Sequence, residues 1–477
     1  MRHRCYFHLL ALIHCLMPLS LSAGPLRDEV AATLKRAGTY FAESVALEGG
    51  YVYYYSPDLS KRLGEGVATS SEIWVQPPGT PAVGEAFLSA YAATSDAFYL
   101  GAALKAGRAL VYGQLESGGW RNSVDFDPSG PRVDQYRNGK GKGKNFSSLD
   151  DDITQAALGF LMRLDEATQF AEAEIHGAVE YALPRLLSAQ FPNGAFPQGW
   201  SREVEVRSIV PASFPGYDWK TEGRIKEYWN QYTLNDGLAG TMTATLMTAH
   251  RIYGKPEYEV ALKQLGEFLV IAQLPEPQPG WAQQYGPEMH PIWARAFEPP
   301  AVSGRESEDA MLALLKIADY TEDRKFIAPV VSGVKYLERS LLPDGRLARY
   351  YEIGTNRPLY MNRAGKGYEL TYDDSELPDH YGWKNPVQIP LLKNAYRAVA
   401  AGGALEAVFV KPTVTVAEVE ELQKSLDSVG RWMSIAHAGD ARLVGQPKFQ
   451  EGEKFLSSAV FAENMLTLSR FLAGSTP

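Results

Sequence analysis

Apolar residues recur every three or four positions over most of this chain, interrupted at intervals by loops rich in glycine and aromatic residues. The helical period runs from Asp28 to Ser44, Gly84 to Tyr91, Ala97 to Leu115, Asp152 to Thr168 and Ala171 to Gln190. It resumes over Gly237–Tyr253, Tyr258–Ala272, Ser307–Ala318 and Phe326–Leu341, with further helices expected at Val387–Ala400, Val416–Met433 and Ser457–Leu472. The second helix of each pair stops just before a glycine. The aromatic tail beyond that glycine reads as a short strand or extended segment.

These loops repeat one signature. Its copies are Glu48-Gly49-Gly50-Tyr51, Ser117-Gly118-Gly119-Trp120, Asn193-Gly194-Ala195-Phe196, Pro279-Gly280-Trp281-Ala282-Gln283-Gln284-Tyr285 and Asp344-Gly345-Arg346-Leu347. Their glycines fall roughly 65 to 86 residues apart, room for two helices and a long loop per unit rather than a short solenoid repeat. Helical hairpins stacked in this way predict an all-α fold, an α/α toroid with long loops and short strands on one rim. No Pro/Ser linker or charge block divides the chain. A single domain over residues 24–477 follows, with its functional residues on the loop rim.

The first residues add a leader to this picture. A charged start, Met1-Arg2-His3-Arg4, precedes an apolar run and the small residues Ser22-Ala23-Gly24, which reads as a signal peptide over residues 1–23 and predicts a secreted or periplasmic protein. The run is too short to anchor the chain in a bilayer, so no membrane partner is expected after cleavage. Cys5 and Cys15, the 2 cysteines of the chain, both lie in this leader. Any metal must then be held through oxygen or imidazole. Lys and Arg number 47 against 56 Asp and Glu, for a net charge of −9, a balance that does not attract nucleic acid. A monomer is expected, and an anionic ligand needs a local basic cleft.

Chemistry concentrates at two helix starts. Asp150-Asp151-Asp152 supplies more carboxylates than an N-cap needs, and packing them costs repulsion that a hard cation such as Ca²⁺ relieves. Tyr232-Thr233-Leu234-Asn235-Asp236-Gly237 repeats the device one hairpin later. Stacking would bring Asp151, Asp152, Asn235 and Asp236 to one site; the bland alternative is capping. The third start turns basic, with Arg295 in Trp293-Ala294-Arg295-Ala296-Phe297-Glu298-Pro299-Pro300 and then Arg305, suited to a carboxylate partner. Arg349, Arg357, Arg363 and Lys366 add positive charge downstream. Lys140, Lys142 and Lys144 alternate with glycine just before the acidic start, either as a solvated loop or as an anion clamp.

The order of these pieces resembles the family-10 polysaccharide lyases, which are pectate lyases. The resemblance spans about Gly118 to Trp383, and its specific parts are Gly280–Pro300 and Arg349–Tyr360. It implies a toroid that cleaves polygalacturonate by Ca²⁺-assisted β-elimination, with Arg295 as base and Asp151, Asp152 and Asp236 as metal ligands. Asn235, Lys142, Lys144, Arg305, Arg349 and Arg357 are then candidates for binding the polysaccharide. Trp281 and Tyr285, with Trp120 and Trp200, are candidates to stack on sugar rings or to anchor the loops. Where the family carries an Arg-Asn-Gly-Tyr-type segment, this chain has Pro378-Asp379-His380-Tyr381-Gly382-Trp383. That departure keeps open a silent or altered-specificity uronan-binding protein. A terpene-cyclase-type toroid enzyme is the more distant rival.

Overall fold

In the computed structural model, which describes residues 24–437 and 449–474, the apolar stripes become twelve α-helices among the described residues. The expected leader lies outside them. The helices are α1 (Pro25–Tyr40), α2 (Thr80–Thr94), α3 (Ala97–Tyr112), α4 (Ile153–Ala167), α5 (Ala173–Ser188) and α6 (Leu238–Tyr253). They continue as α7 (Pro256–Ile271), α8 (Gly304–Thr321), α9 (Ala328–Arg339), α10 (Ile389–Ala400), α11 (Val416–Ser425) and α12 (Ser458–Gly474). α11 stops well short of the expected Met433. Asp427 ends it, because its carboxylate takes the N–H groups of Val429, Gly430 and Arg431 and closes a turn.

Neighbouring hairpins pack in chain order. α2 lies against α4, α4 against α6, α6 against α8 and α8 against α10, while α3, α5, α7 and α9 pair with α2, α4, α6 and α8 respectively. α12 packs on α2 and on α1, bringing the end of the chain back to its first hairpin. None of the described helices is long and apolar enough to cross a membrane.

Gly49, Gly118 and Gly194 turn, at positive φ, against the outer helix of the next hairpin, α3, α5 and α7 respectively. Gly194, at φ +90°, leaves only 1.9 Å between an added Cβ and the Gln264 carbonyl of α7, and Gly49, at φ +85°, leaves 2.4 Å to the Lys105 carbonyl of α3. Any side chain there meets both strain and backbone. A glutamine fastens three of the loops. Gln114 Nε2 donates to the carbonyls of Gly118 and of Ala178 in α5; Gln190 does the same to Gly194 and to Ala261 in α7. Gln273 bridges Pro279 to Pro329 in α9. Gln114 is fully buried. Gln114→Leu keeps the volume but strands two carbonyls, so it is expected to destabilise the fold by about 1–3 kcal/mol, read as a lower urea midpoint.

The strands are mostly two to four residues long and antiparallel. One hairpin exceeds expectation: Pro358–Ala364 pairs with Gly367–Thr371 and joins Tyr350–Tyr351 and Val302–Ser303 in a four-stranded sheet. Part of the basic stretch that includes Arg363 and Lys366 is therefore a paired ribbon at its turn rather than an open loop.

Candidate active site

Two copies of one tight turn build the centre. Buried Leu149 and Leu234 each precede a 3₁₀ turn, Asp150–Asp152 and Asn235–Gly237, which runs into α4 and α6. The middle residues, Asp151 and Asp236, are left-handed at φ 46° and 54°, and the third positions, Asp152 and Gly237, are left-handed at 62° and 74°. Such a conformation costs a non-glycine residue about 1 kcal/mol, and aspartate tolerates it better than most. The two turns pack against each other. Sheet pairing holds their approaches, Ser147–Ser148 with Gly199–Trp200 and Tyr232–Thr233 with Gln284–Tyr285.

Carboxylate oxygens of Asp150, Asp151 and Asp236 come within 4.8 Å of one another. Asp150, rather than the expected Asp152, thus joins the other two. Asp152 occupies the slot that Gly237 fills in the second turn, and Arg163 is the cation that acts on its carboxyl; burial, only partly offset by Arg163, raises it to about 6. Amides orient the three clustered groups. Gln198 Nε2 donates to Asp150 at 2.6 Å, Gln76 to Asp151 at 3.0 Å and Asn235 Nδ2 to Asp236 at 2.6 Å. Burial, reinforced by Asp236, pushes the Asp150 carboxyl up to about 8 and that of Asp151 to about 6. Three convergent hard oxygens, on carboxyls of which Asp150 and Asp151 stay raised although Arg295 partly offsets the repulsion, fit Ca²⁺ in charge and donor type.

A basic layer covers Asp236. Arg295 Nη2 lies 3.4 Å from Asp236 Oδ2 and 2.7 Å from Glu298 Oε1. Arg305 approaches Asp236 at 3.8 Å with its side chain 43 % exposed. Arg349 lies 3.6 Å from the same carboxylate, but it is buried, paired with Glu306 at 2.9 Å, and donates to Asn235 Oδ1 at 3.1 Å. Burial alone would lower the Arg295 pKa; Glu298, Asp150 and Asp236 more than reverse that and hold the guanidinium charged. The departing segment 378–383 belongs to this layer. Tyr381 Oη donates to Glu298 at 3.0 Å, bonds Tyr350 Oη at 2.9 Å, and its ring lies 4.5 Å from the Arg349 guanidinium.

Other expected residues lie elsewhere. Trp281 and Tyr285 are fully buried and cannot meet a sugar. The Trp281 indole donates to the Leu269 carbonyl, and Tyr285 Oη accepts from Ala282 N–H and donates to Ala272. Tyr55 and Tyr351 take the N–H three residues back in the same way, so this tyrosine is a loop anchor. Arg357 is exposed and stacks 3.7 Å over Tyr372, in a cluster around Glu352 with Lys220 rather than around Asp236. Of the basic loop, Lys144 reaches the site. It lines a cleft of about 650 Å³ with Arg121, Asp150, Gln198, Tyr228 and Trp229, whereas Lys142, exposed like Lys144, is not part of that wall.

Residues 114–347, just under half of the chain's length, match the pectic acid lyase family. The chain is pectate lyase-like. Both acidic turns, the cleft wall and the Arg295 motif fall inside the matched stretch, as does Gly280–Pro300, whose motifs resemble family-10 polysaccharide lyases. The match supports a polysaccharide lyase. No curated protein matches the chain at significance. Among solved structures it is similar to a mutant of the family 10 polysaccharide lyase from Cellvibrio cellulosa in complex with trigalaturonic acid, at 17 % identity and TM-score 0.45, covering 67 % of this chain and 98 % of that one. It is also similar to the cellobiose 2-epimerase from Bacillus thermoamylovorans, at 15 % identity and TM-score 0.47, covering 93 % and 98 %. Likenesses this distant decide nothing about activity.

For this lyase-like cleft, Lys144→Ser is expected to raise KM for a polyuronate about 2- to 5-fold at low salt with kcat nearly unchanged, and Lys142→Ser to leave KM within error. Initial rates at two ionic strengths check both. An equal effect of the two would return the loop to general solvation.

Proposed function

We propose that this protein is a secreted pectate lyase on an α/α toroid, with Ca²⁺ held by Asp150, Asp151 and Asp236 and Arg295 as the base. What carries the reading is the placement of Arg295 against Asp236, at the edge of a three-carboxylate cluster that opens on a basic and aromatic cleft. The order of hairpin contacts and the return of α12 to α2 support the toroid.

The reaction removes the C5 proton, α to a uronate carboxylate; that electron pair forms C4=C5 as the C4–O bond breaks, and the leaving oxygen takes a proton from solvent. When bound, Ca²⁺ supplies positive charge that holds the carboxylate and acidifies C5–H. Gln198, Gln76 and Asn235 keep the three carboxylates aimed inward. Arg305 and Lys144 offer charge to neighbouring uronates, and Tyr228 and Trp229 offer ring faces. Arg295 takes the proton only in its neutral form, which Glu298 and Asp236 oppose, so an alkaline optimum follows.

That same clamp on Arg295 favours the second reading, a uronan binder without turnover. Absorbance of the unsaturated product decides between them, with polygalacturonate, pectin and alginate each assayed with and without Ca²⁺. Calcium-dependent product from polygalacturonate supports the lyase; binding with no product from any polymer replaces it with the binder.

A further inference from the structure

The cleft beside Asp150 does not end at Trp229. A second cavity, of about 230 Å³, continues on the other side, and Phe146, Ser201 and Trp229 line both. Trp229 is 36 % exposed. Tyr228 packs edge-on at 5.5 Å to hold its ring, and the Gln198 N–H fixes its carbonyl at 3.0 Å. Since the Gln198 side chain also donates to Asp150, one residue sets the distance between the acidic cluster and this indole platform.

Charge reverses across the platform. The Asp150 side carries Arg121 and Lys144, whereas the far cavity carries Glu203, Glu205 and Glu227 against Arg202, with Arg207 lying 3.7 Å from Glu205, a balance that stays negative. A free uronate on the far side meets net negative charge within a Debye length. A methyl-esterified uronate carries none, and Val204 and Phe146 offer its methyl group apolar contact. The geometry points to a specificity site: we propose that the cavity beyond Trp229 takes a methyl-esterified uronate and disfavours a free one. This rests on the lyase reading and adds the pattern of esterification that the cleft selects.

The test compares polygalacturonate with the same polymer chemically methyl-esterified at about one unit in three, at low and high salt. Glu203→Gln, Glu205→Gln and Glu227→Gln together are expected to raise kcat/KM on the free polymer about 3- to 10-fold at low salt, change the esterified polymer less than about 2-fold, and lose the effect at high salt. Trp229→Ala should raise KM on both polymers. If the triple variant changes both polymers alike, or neither, the inference is overturned. If the wild type makes no product at all, the lyase reading fails separately; calorimetric binding of the two polymers then reads the same ratio. A ratio that the triple variant leaves unchanged overturns the inference there too.

Discussion

Arg295→Lys is expected to keep most of the affinity for polygalacturonate while kcat falls on the order of 10²-fold or more, the contribution that general-base catalysis typically makes. Lysine preserves the charge that meets Asp236 and Glu298 but moves the nitrogen and loses the planar fork. Arg295→Ala should be at least as inactive. Lysine keeps a cation beside the buried Glu298, so Arg295→Lys should melt close to the wild type, whereas Arg295→Ala leaves that carboxylate without its cation and should melt lower. Glu298→Gln supplies the pH test. Glu298 stabilises the guanidinium form, so removing its charge lowers the Arg295 pKa, makes the neutral base available at lower pH, and shifts the rising limb of kcat toward neutrality. Arg349 is a poor probe of the same question. Its removal leaves the buried Glu306 without its cation, the kind of loss that destabilises a protein by about 3–5 kcal/mol. Near-native kcat in Arg295→Lys would reduce Arg295 to a carboxylate contact and move the base to another residue of the basic layer.

The helices were legible because each buries an apolar stripe of the right period; α4 sets Ala157, Leu158, Leu161 and Leu164 inward as its sequence says. The strand hairpin Pro358–Thr371 was not, since its first strand is buried over three successive residues rather than in alternation and the charges around its turn read as loop. The acidic starts could be found as a pair, but the choice within the first needed the backbone. Asp151 and Asp236 share a slot; with Asp152 opposite Gly237, the third position is the one the second turn does without. Side-by-side alignment of the two turns contained that hint. Tyr285 and Trp281 were misleading for a physical reason: the loop aromatics serve as anchors, the indole bond recurring at Trp120 and Trp281 and the tyrosine bond at Tyr55, Tyr285 and Tyr351, and that role buries them. The aromatics of the cleft, half-buried Tyr228 and exposed Trp229, lie outside the repeat. Glu298 and Tyr381 lay inside stretches the sequence singles out, but the roles of Tyr381 and Gln198 arise only from contacts between distant loops, Tyr381 with Glu298 and Gln198 with Asp150.

Asp236→Asn and Asp151→Asn are expected to raise the Ca²⁺ concentration for half-maximal activity on the order of 10- to 100-fold, with excess Ca²⁺ restoring part of kcat. Asp150→Asn should do the same. Asp152→Asn should leave calcium dependence unchanged, which separates the observed cluster from the one the triplet suggested. A pH signature accompanies these. Asp150 and Asp151 have carboxyls raised to about 8 and about 6 by burial and by Asp236, so below those values each holds a proton that a cation must expel. Calcium affinity should therefore climb as pH rises from about 6 to about 8, and Asp150→Asn should flatten the upper part of that climb. Calorimetric Ca²⁺ titrations at several pH values measure it without substrate, independently of whether Arg295 is the base. Affinity that is flat with pH in the wild type, or calcium dependence lost in Asp152→Asn and kept in Asp150→Asn, would move the metal off the oxygens of Asp150, Asp151 and Asp236.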